Sequence, residues 1–383
     1  MDLKTRAETA FSAAEPGLRD LSRWLYENPE IAYEEHESSA RLAATLKAHG
    51  FNVAYPAWDM QTAFDARVGS GSREVVVCCE YDALPEVGHA CGHNIIASAA
   101  LGAGIALAPL ADELDLTIRV LGTPAEEAGG GKVDLINAGA FRTADLSMMI
   151  HPSTEDVVDP RVLAICDYRV EFHGKEAHAA GSPDEGINAL DAAVQAYTNV
   201  SMLRQALLDT DRVHGTITYG GGAPNVIPAY TRMSWMVRSV TAEHLAELRQ
   251  QVVACFEAAA TATGCRLEIC QDGNPFADMI TDAVLADLYA ANSAALGRPM
   301  ARSEPGNYDG STDMGNVSHE VPTLHAMLDI NSAPATNHQH EFAAHTVTPD
   351  GEQAIRDGAV AMAWTIADVA SDNRWADLGT PAW

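Results

Sequence analysis

The chain has 383 residues, 47% hydrophobic and 20% charged, with 29 glycines and 18 prolines. That composition is globular, and the length exceeds what one compact core usually holds, so two domains are expected. A formal charge of −29 excludes nucleic-acid backbones and anionic membranes as partners, and otherwise reads as a solubility surface.

In chain order, the first 25 residues read as an amphipathic helix without the tripartite pattern of a signal peptide. EVVVCCEYDAL (74–84) opens as a β-rich run, and IIASAALGAGIALAPLA (95–111) reads as a helix apolar on most faces. LTIRVLGTPAEE (116–127) and ADLSMMIHPS (144–153) repeat the strand-then-polar pattern. Continuous apolar strands joined by buried helices predict an α/β fold whose mostly parallel sheet is covered by helices. No apolar run reaches the roughly 18 residues that span a bilayer.

The pattern changes near residue 166. Strand 167–173, helix 185–206, strands 213–219 and 230–239, helix 241–263 and strand 266–270 follow one another. This βαββαβ order predicts a ferredoxin-like domain. A helix (280–296), a Gly-rich loop, a strand (323–328) and a last helix (350–370) then resume the first pattern. The expected organisation is a discontinuous large domain, 1–165 and 274–383, with 166–273 inserted. The seven cysteines, odd in number and mostly in strand-like runs, argue for reduced thiols in the cytoplasm.

In open α/β sheets ligands bind beyond the carboxyl ends of the strands. There the sequence places Asp82, His89, Cys91 and His93 after the first strand, and Glu126 and Glu127 after the second. His151 follows at the third, and His338 and His340 after the late strand. Each alone has an ordinary explanation as a core thiol, a surface imidazole or a solvated turn. Together, thiolate, imidazole and carboxylate form a donor set for two divalent ions. The Cys-x-His pair lies just before a helix N-terminus, whose dipole is expected to favour the thiolate. Of two adjacent glutamates only one need bind metal, leaving the other to take a proton from water. A cysteine hydrolase using Cys91 with His93 would leave the Glu pair and His151 unexplained. A non-catalytic amide-binding protein would have no need of the base.

Several stretches carry a family resemblance: LYENPEIAYEEHESS (25–39), EYDALPEVGHACGHN (80–94), GTPAEEAGGGK (122–132) and MIHP (149–152). GKEAHAAGSPDEGINALDA (174–192), HGTITYGGGAPNVIPAYTRMSWMVRS (214–239), GSTDMGNVS (310–318) and NHQHEF (337–342) complete the series. With them the chain resembles the di-metal aminoacylase and carboxypeptidase-G-like metallopeptidases, family M-twenty of clan MH. It is most similar to the amidohydrolase branch of indole-acetyl-amino-acid hydrolases, p-aminobenzoyl-glutamate hydrolase and β-alanyl-lysine-type dipeptidases. Asn94, where many members have Asp, and Tyr26, where His is common, are departures that touch no presumed ligand.

The resemblance implies two divalent ions, zinc foremost with manganese or cobalt as options. It assigns Cys91, His93, Glu127, His151 and His338 as ligands, the last preferred to His340 because it stands four residues before Phe342. Glu126 would be the general base and Asp82 a carboxylate that orients a ligand. His178, from the inserted domain, would serve the active site of a partner subunit in a homodimer. Asn225 and Arg238 would hold the substrate's carboxylate. The implied reaction is hydrolysis of the amide bond of N-acyl- or aminoacyl-amino acids. Dipeptidase activity on β-alanyl or ω-aminoacyl dipeptides, or p-aminobenzoyl-glutamate hydrolysis, is the alternative.

Overall fold

The computed structural model describes residues 2–304 and 306–379 and divides them into two compact units, one from the segments up to Arg161 and from Met279, the other Val162–Asp278. The large unit begins with α1 (Leu3–Glu27) and α2 (His36–Ala48), then β1 (Asn52–Ala54), β2 (Phe64–Val68), β3 (Arg73–Cys79) and α3 (His93–Leu107). It continues with β4 (Leu116–Gly122), α4 (Gly131–Asn137) and β5 (Leu146–Ser153). The small unit holds β6 (Ala164–His173), α5 (Ala189–Leu203), β7 (Arg212–Tyr219), β8 (Tyr230–Ser239), α6 (Ala242–Thr263) and β9 (Arg266–Gln271). The chain returns to the large unit through α7 (Ala283–Ala295), α8 (Met314–Glu320), β10 (Thr323–Asp329), α9 (His340–His345) and α10 (Pro349–Ser371).

The large sheet has the order β1-β2-β4-β3-β5-β10. Its four strands β4, β3, β5 and β10 are parallel, whereas β1 and β2 add an antiparallel edge. Alternation along the parallel strands feeds two cores. Val75, Val77, Cys79, Met148 and Ile150 face one that includes α1, α3 and α10, while Val76, Cys78 and Met149 face another with Leu135, Met314 and Val317. Strands buried on both faces are why these segments read as unbroken apolar runs.

Every residue of α3 is buried. It can lie this close to α1 and α10 because position 102 is glycine: a Cβ there would stand 2.8 Å from the Phe11 ring and 2.9 Å from the Ala359 methyl. The helical stretch His93–Leu110 corrects one expectation, since its 18 residues, of mean hydropathy 1.4, are long and apolar enough to cross a membrane. It is 89% buried within the protein, so its apolarity is that of a core helix.

The second strand of the sheet, β2, escaped the sequence pattern for a physical reason. Its residues FDARV include Asp65 and Arg67, which look solvent-facing. In the fold Asp65 is buried and accepts hydrogen bonds from both Arg67 and the fully buried Arg119 of β4. Paired charges can be buried where single ones cannot.

The small unit is a four-stranded antiparallel sheet of order β7-β8-β6-β9, the ferredoxin-like arrangement. Tyr168, Val170, Phe172, Met233, Trp235 and Val237 point to one face, where α5 and α6 supply Ala192, Ala196, Leu248, Val252 and Phe256. The edges are β7 and β9.

Candidate metal centre

The parallel strands deliver donors to one rim. Glu80 and Asp82 follow β3, Glu126 and Glu127 follow β4, His151 lies in β5, and His338 is in the loop after β10. Cys91 and His93 bracket Gly92, the left-handed residue (φ 76°) that caps α3.

The five expected ligands come together. Cys91, His93 and His151 form one group, and Cys91, Glu127 and His338 another, with the donor atoms in each within 4.8 Å of one another. Cys91 belongs to both. Its single sulfur is therefore placed to be shared by two ions. His340 opens α9 and joins neither group. The His338 backbone adopts φ 70° and donates its N–H to Ala90 O at 2.9 Å, which ties the late loop to the loop that carries Cys91.

The imidazoles are oriented as ligands need to be. His93 Nδ1 lies 3.0 Å from Asp82 Oδ1, and His151 Nδ1 lies 2.7 Å from the Pro152 carbonyl oxygen. Each bond puts a proton on Nδ1 and leaves Nε2 for a metal. Asp82 also accepts the Glu127 N–H at 2.9 Å, so one carboxylate fixes two of these residues. The buried atoms His93 Nε2, Glu127 Oε1 and Glu80 Oε2 have no hydrogen-bond partner among the described residues. Orphaned donor atoms converging on one spot are what an ion site looks like before the ion. The residues present therefore fit divalent metal.

The expectation for Cys91 is corrected in one respect. Burial, and then the neighbouring Glu127 carboxylate, push its thiol well above the usual range. The helix dipole does not outweigh them, so in the metal-free chain the thiol keeps its proton. Burial likewise holds His151 down to about 4. His93 goes the other way: burial opposes its protonation, but Asp82, Glu80 and Glu127 override it.

Glu126 stands beside the ligands. Its carboxylate lies within 4.8 Å of His93 and Glu127 donors, and also of Glu80 and Asp313. Burial raises its pKa first, then the charges of Glu80, Glu127 and Asp313. The Glu80–Glu126–Asp313 cluster already has a cation, because the buried ammonium of Lys132 bonds Glu80 Oε1 and Asp313 Oδ1. The Lys132 backbone N–H also donates to Asp313 Oδ2 at 2.9 Å.

A second buried carboxylate supports the Glu pair from behind. Glu35 Oε1 accepts the N–H of Ala125 at 2.9 Å, and Ala125 adopts φ 61° just before Glu126. A non-glycine residue in that conformation needs its surroundings to hold it. The Ala125 carbonyl accepts N–H groups of Gly129, Gly130 and Gly131, closing the turn.

The small unit carries the remaining predicted residues. His178 is exposed, and its Nδ1 accepts the N–H groups of Ala180 and Gly181 at 3.2 and 2.9 Å. Its proton is thereby placed on Nε2. Asn225 is adjacent, its carbonyl accepting the Ala179 N–H at 3.1 Å. Arg238 is not with them: it sits near the far end of β8, its guanidinium against Met236 Sδ. A ten-residue strand is roughly 30 Å long. Asn225 and Arg238 of one small unit therefore stand toward opposite ends of β8.

Glu35, Glu80, Lys132 and Asp313 were not singled out by sequence reasoning, although all lie in the stretches that carried the resemblance. For Glu80 the signal was present. It stands two residues before Asp82, and residues two apart in an extended segment share a face.

The sequence model of peptidase family M20/M25/M40 matches residues 77–366. A mouse (Mus musculus) protein named Xaa-Arg dipeptidase is 39% identical, over 96% of this chain and 89% of its own length. The human (Homo sapiens) protein of the same name is 37% identical, over 96% and 88%. Among solved structures, a dinuclear metal-binding peptidase from Bacillus subtilis shares the fold, with TM-score 0.72 and 20% identity over 94% of this chain and 99% of that one.

Glu35 makes a testable link between the site and stability. Burial, and then the Asp82 charge, raise its carboxyl from the ordinary 4.5 to about 7. Between those pH values the unfolded chain releases a proton that the folded chain keeps, so stability falls as pH rises through the window. Glu35→Gln keeps an oxygen for the Ala125 N–H and cannot ionise. Urea midpoints of the metal-free proteins are expected to diverge from pH 4.5 to 7, the wild type losing up to about 3 kcal/mol relative to the variant. Parallel curves would mean that Glu35 is ionised in the fold at ordinary pH.

Proposed function

The chain belongs to peptidase family M20/M25/M40, and from that premise we propose that it is a dipeptidase releasing a C-terminal arginine, or another basic residue, from dipeptides. Family membership makes it a metal-dependent hydrolase of amide bonds. The observation that carries the substrate class is the similarity to Xaa-Arg dipeptidases across 96% of the chain. The charge of −29 agrees with it, since an acidic protein concentrates cationic substrates.

We assign Cys91, His93 and His151 to one ion and Cys91, Glu127 and His338 to the other. Zinc suits this donor set best, and manganese or cobalt can replace it. Bound there, the ions supply Lewis acidity, acidifying water and polarising an amide carbonyl. Glu126 accepts the proton from water and delivers it to the leaving amine. Its buried position keeps the carboxylate close to the reacting atoms without spending it on a metal. Asp82 holds His93 and Glu127 in place. Arg238, with its guanidinium fork, grips the carboxylate of the departing amino acid. The large unit is then the catalytic domain and the inserted one the dimerisation domain and lid. Seven free cysteines suit the reducing cytoplasm, where we place the protein.

Released arginine from Xaa-Arg dipeptides measures the assignment directly. The metal-loaded protein should prefer them at least tenfold in kcat/KM over N-acyl amino acids, β-alanyl dipeptides with neutral termini and p-aminobenzoyl-glutamate. Glu126→Gln should retain both ions and lose roughly a hundredfold or more in kcat. A preference for p-aminobenzoyl-glutamate would replace the substrate class, and near-normal turnover of the variant would remove Glu126 as the base.

We also propose a homodimer through the small unit. The edge strand β7 has a free side, and α5 beside it exposes Val194, Tyr197 and Met202 at helical spacing. An open edge next to an apolar stripe is a pairing surface, and two-fold pairing is its commonest use. His178, with its proton on Nε2 and that nitrogen free, is built to donate to an oxyanion, and we assign it to the partner's site. Mixing inactive Glu126→Gln with inactive His178→Ala under subunit exchange should restore activity, up to about a quarter of wild type if exchange is statistical. No recovery after proven exchange would place His178 in its own chain's chemistry or in none.

A further inference from the structure

Two buried polar atoms face each other in the ligand cluster: Glu80 Oε2 and His93 Nε2, 3.4 Å apart. Neither makes a hydrogen bond among the described residues, and their side chains are 0% and 1% exposed. A buried polar group left unmatched costs about 1–3 kcal/mol, more if charged. The separation itself is informative. Two donors bound to one ion at roughly 2.0–2.2 Å in a tetrahedral arrangement stand roughly 3.4 Å apart.

Both side chains are also locked in this orientation. Asp82 occupies His93 Nδ1 at 3.0 Å, so Nε2 is the only ring atom left to bind. Lys132 holds Glu80 Oε1, and Asp313 holds Lys132 through its ammonium and its backbone N–H. The Glu80 carboxylate therefore cannot rotate its free oxygen away from the cluster.

We infer that Glu80 is a further metal ligand, through Oε2, of the ion held by Cys91, His93 and His151, and that Lys132 is the positioning residue that aims it. The inference rests on the two-ion reading of the site. It makes the two ions unequal. One gains Glu80 Oε2 as a donor beside His93 Nε2. The other has three, Cys91, Glu127 and His338, and keeps a position open. Pairing of Glu80 with a protonated His93 would explain the same contact in the metal-free chain. It predicts something different once metal is present, because a metal-bound Nε2 carries no proton and the contact would then contribute nothing.

Zinc binding to the metal-free protein, followed by chelator competition, resolves the two dissociation constants, and cobalt absorption reports coordination number independently of activity. The wild type should take up two ions. Glu80→Gln should weaken the tighter one by tenfold to a hundredfold or more, leave the other within about twofold, and change the d–d absorption of the first cobalt bound. Glu80→Leu combined with Lys132→Met and Asp313→Asn removes all three charges of the buried cluster, so no uncompensated member of it compromises folding, and it should show the same selective loss. Both ions bound at wild-type affinity with an unchanged cobalt spectrum, in either folded variant, would overturn the role of Glu80 while leaving the two-ion site standing. A wild type that binds fewer than two ions would instead overturn the reading on which the inference rests.

Discussion

The constraint on which this structure turns is the crowding of carboxylates at one end of a parallel sheet. Glu80, Asp82, Glu126 and Asp313 are buried, with Glu127 at their margin. Within the Glu80–Glu126–Asp313 group and the Glu126–Glu127 pair, at separations within 4.8 Å, each pair of ionised carboxylates costs on the order of 3 to 4 kcal/mol at an effective dielectric constant near 20. Among the described residues, the buried ammonium beside them, that of Lys132, serves Glu80 and Asp313. On the side nearer the histidines, Asp82, Glu80 and Glu127 keep His93 protonated against burial in the metal-free chain. In the proposed reading, divalent ions on Cys91, His93, Glu127, His151 and His338 would supply the remaining positive charge; in the metal-free chain burial first, and neighbouring carboxylates after it, pull Cys91, Glu126 and Glu127 upward.

The fold serves this constraint by division of labour. The parallel strands fix where each donor emerges, and helices buried on both faces make those positions rigid. Loops then add what strands cannot: a left-handed Gly92 between Cys91 and His93, a left-handed Ala125 before the Glu pair, and a left-handed His338. The two non-glycine turns are anchored by residues distant in sequence. Ala125 leans on Glu35 and His338 on the Ala90 carbonyl. The site is thus assembled from segments that only the complete large unit brings together, and its chemistry depends on packing far from the ions.

Much of this was legible from sequence. The α/β class, the βαββαβ order of the inserted segment and the convergence of Cys91, His93, the Glu pair, His151 and one of His338 and His340 followed from apolar runs and from what stands at their ends, and the resemblance chose His338. The less legible parts share a cause. β2 was hidden because Asp65 and Arg67 look solvent-facing until Arg119 pairs with them. Glu80, Lys132 and Asp313 read as ordinary polar residues because their burial depends on meeting one another across more than 180 residues of chain. The separation of Arg238 from Asn225 was likewise invisible without knowing that β8 runs its full length between them. Periodicity reports which face a residue takes. It does not report which buried charges will find partners.

The central claim is that one sulfur, Cys91 Sγ, serves two ions. X-ray absorption at the zinc edge of the fully loaded protein tests it most directly. A shared sulfur gives every zinc one sulfur neighbour at about 2.3 Å, with a zinc–zinc vector of roughly 3.5–4 Å. An average of half a sulfur per zinc would mean that Cys91 belongs to one ion only, and no sulfur at all would contradict the account of the site.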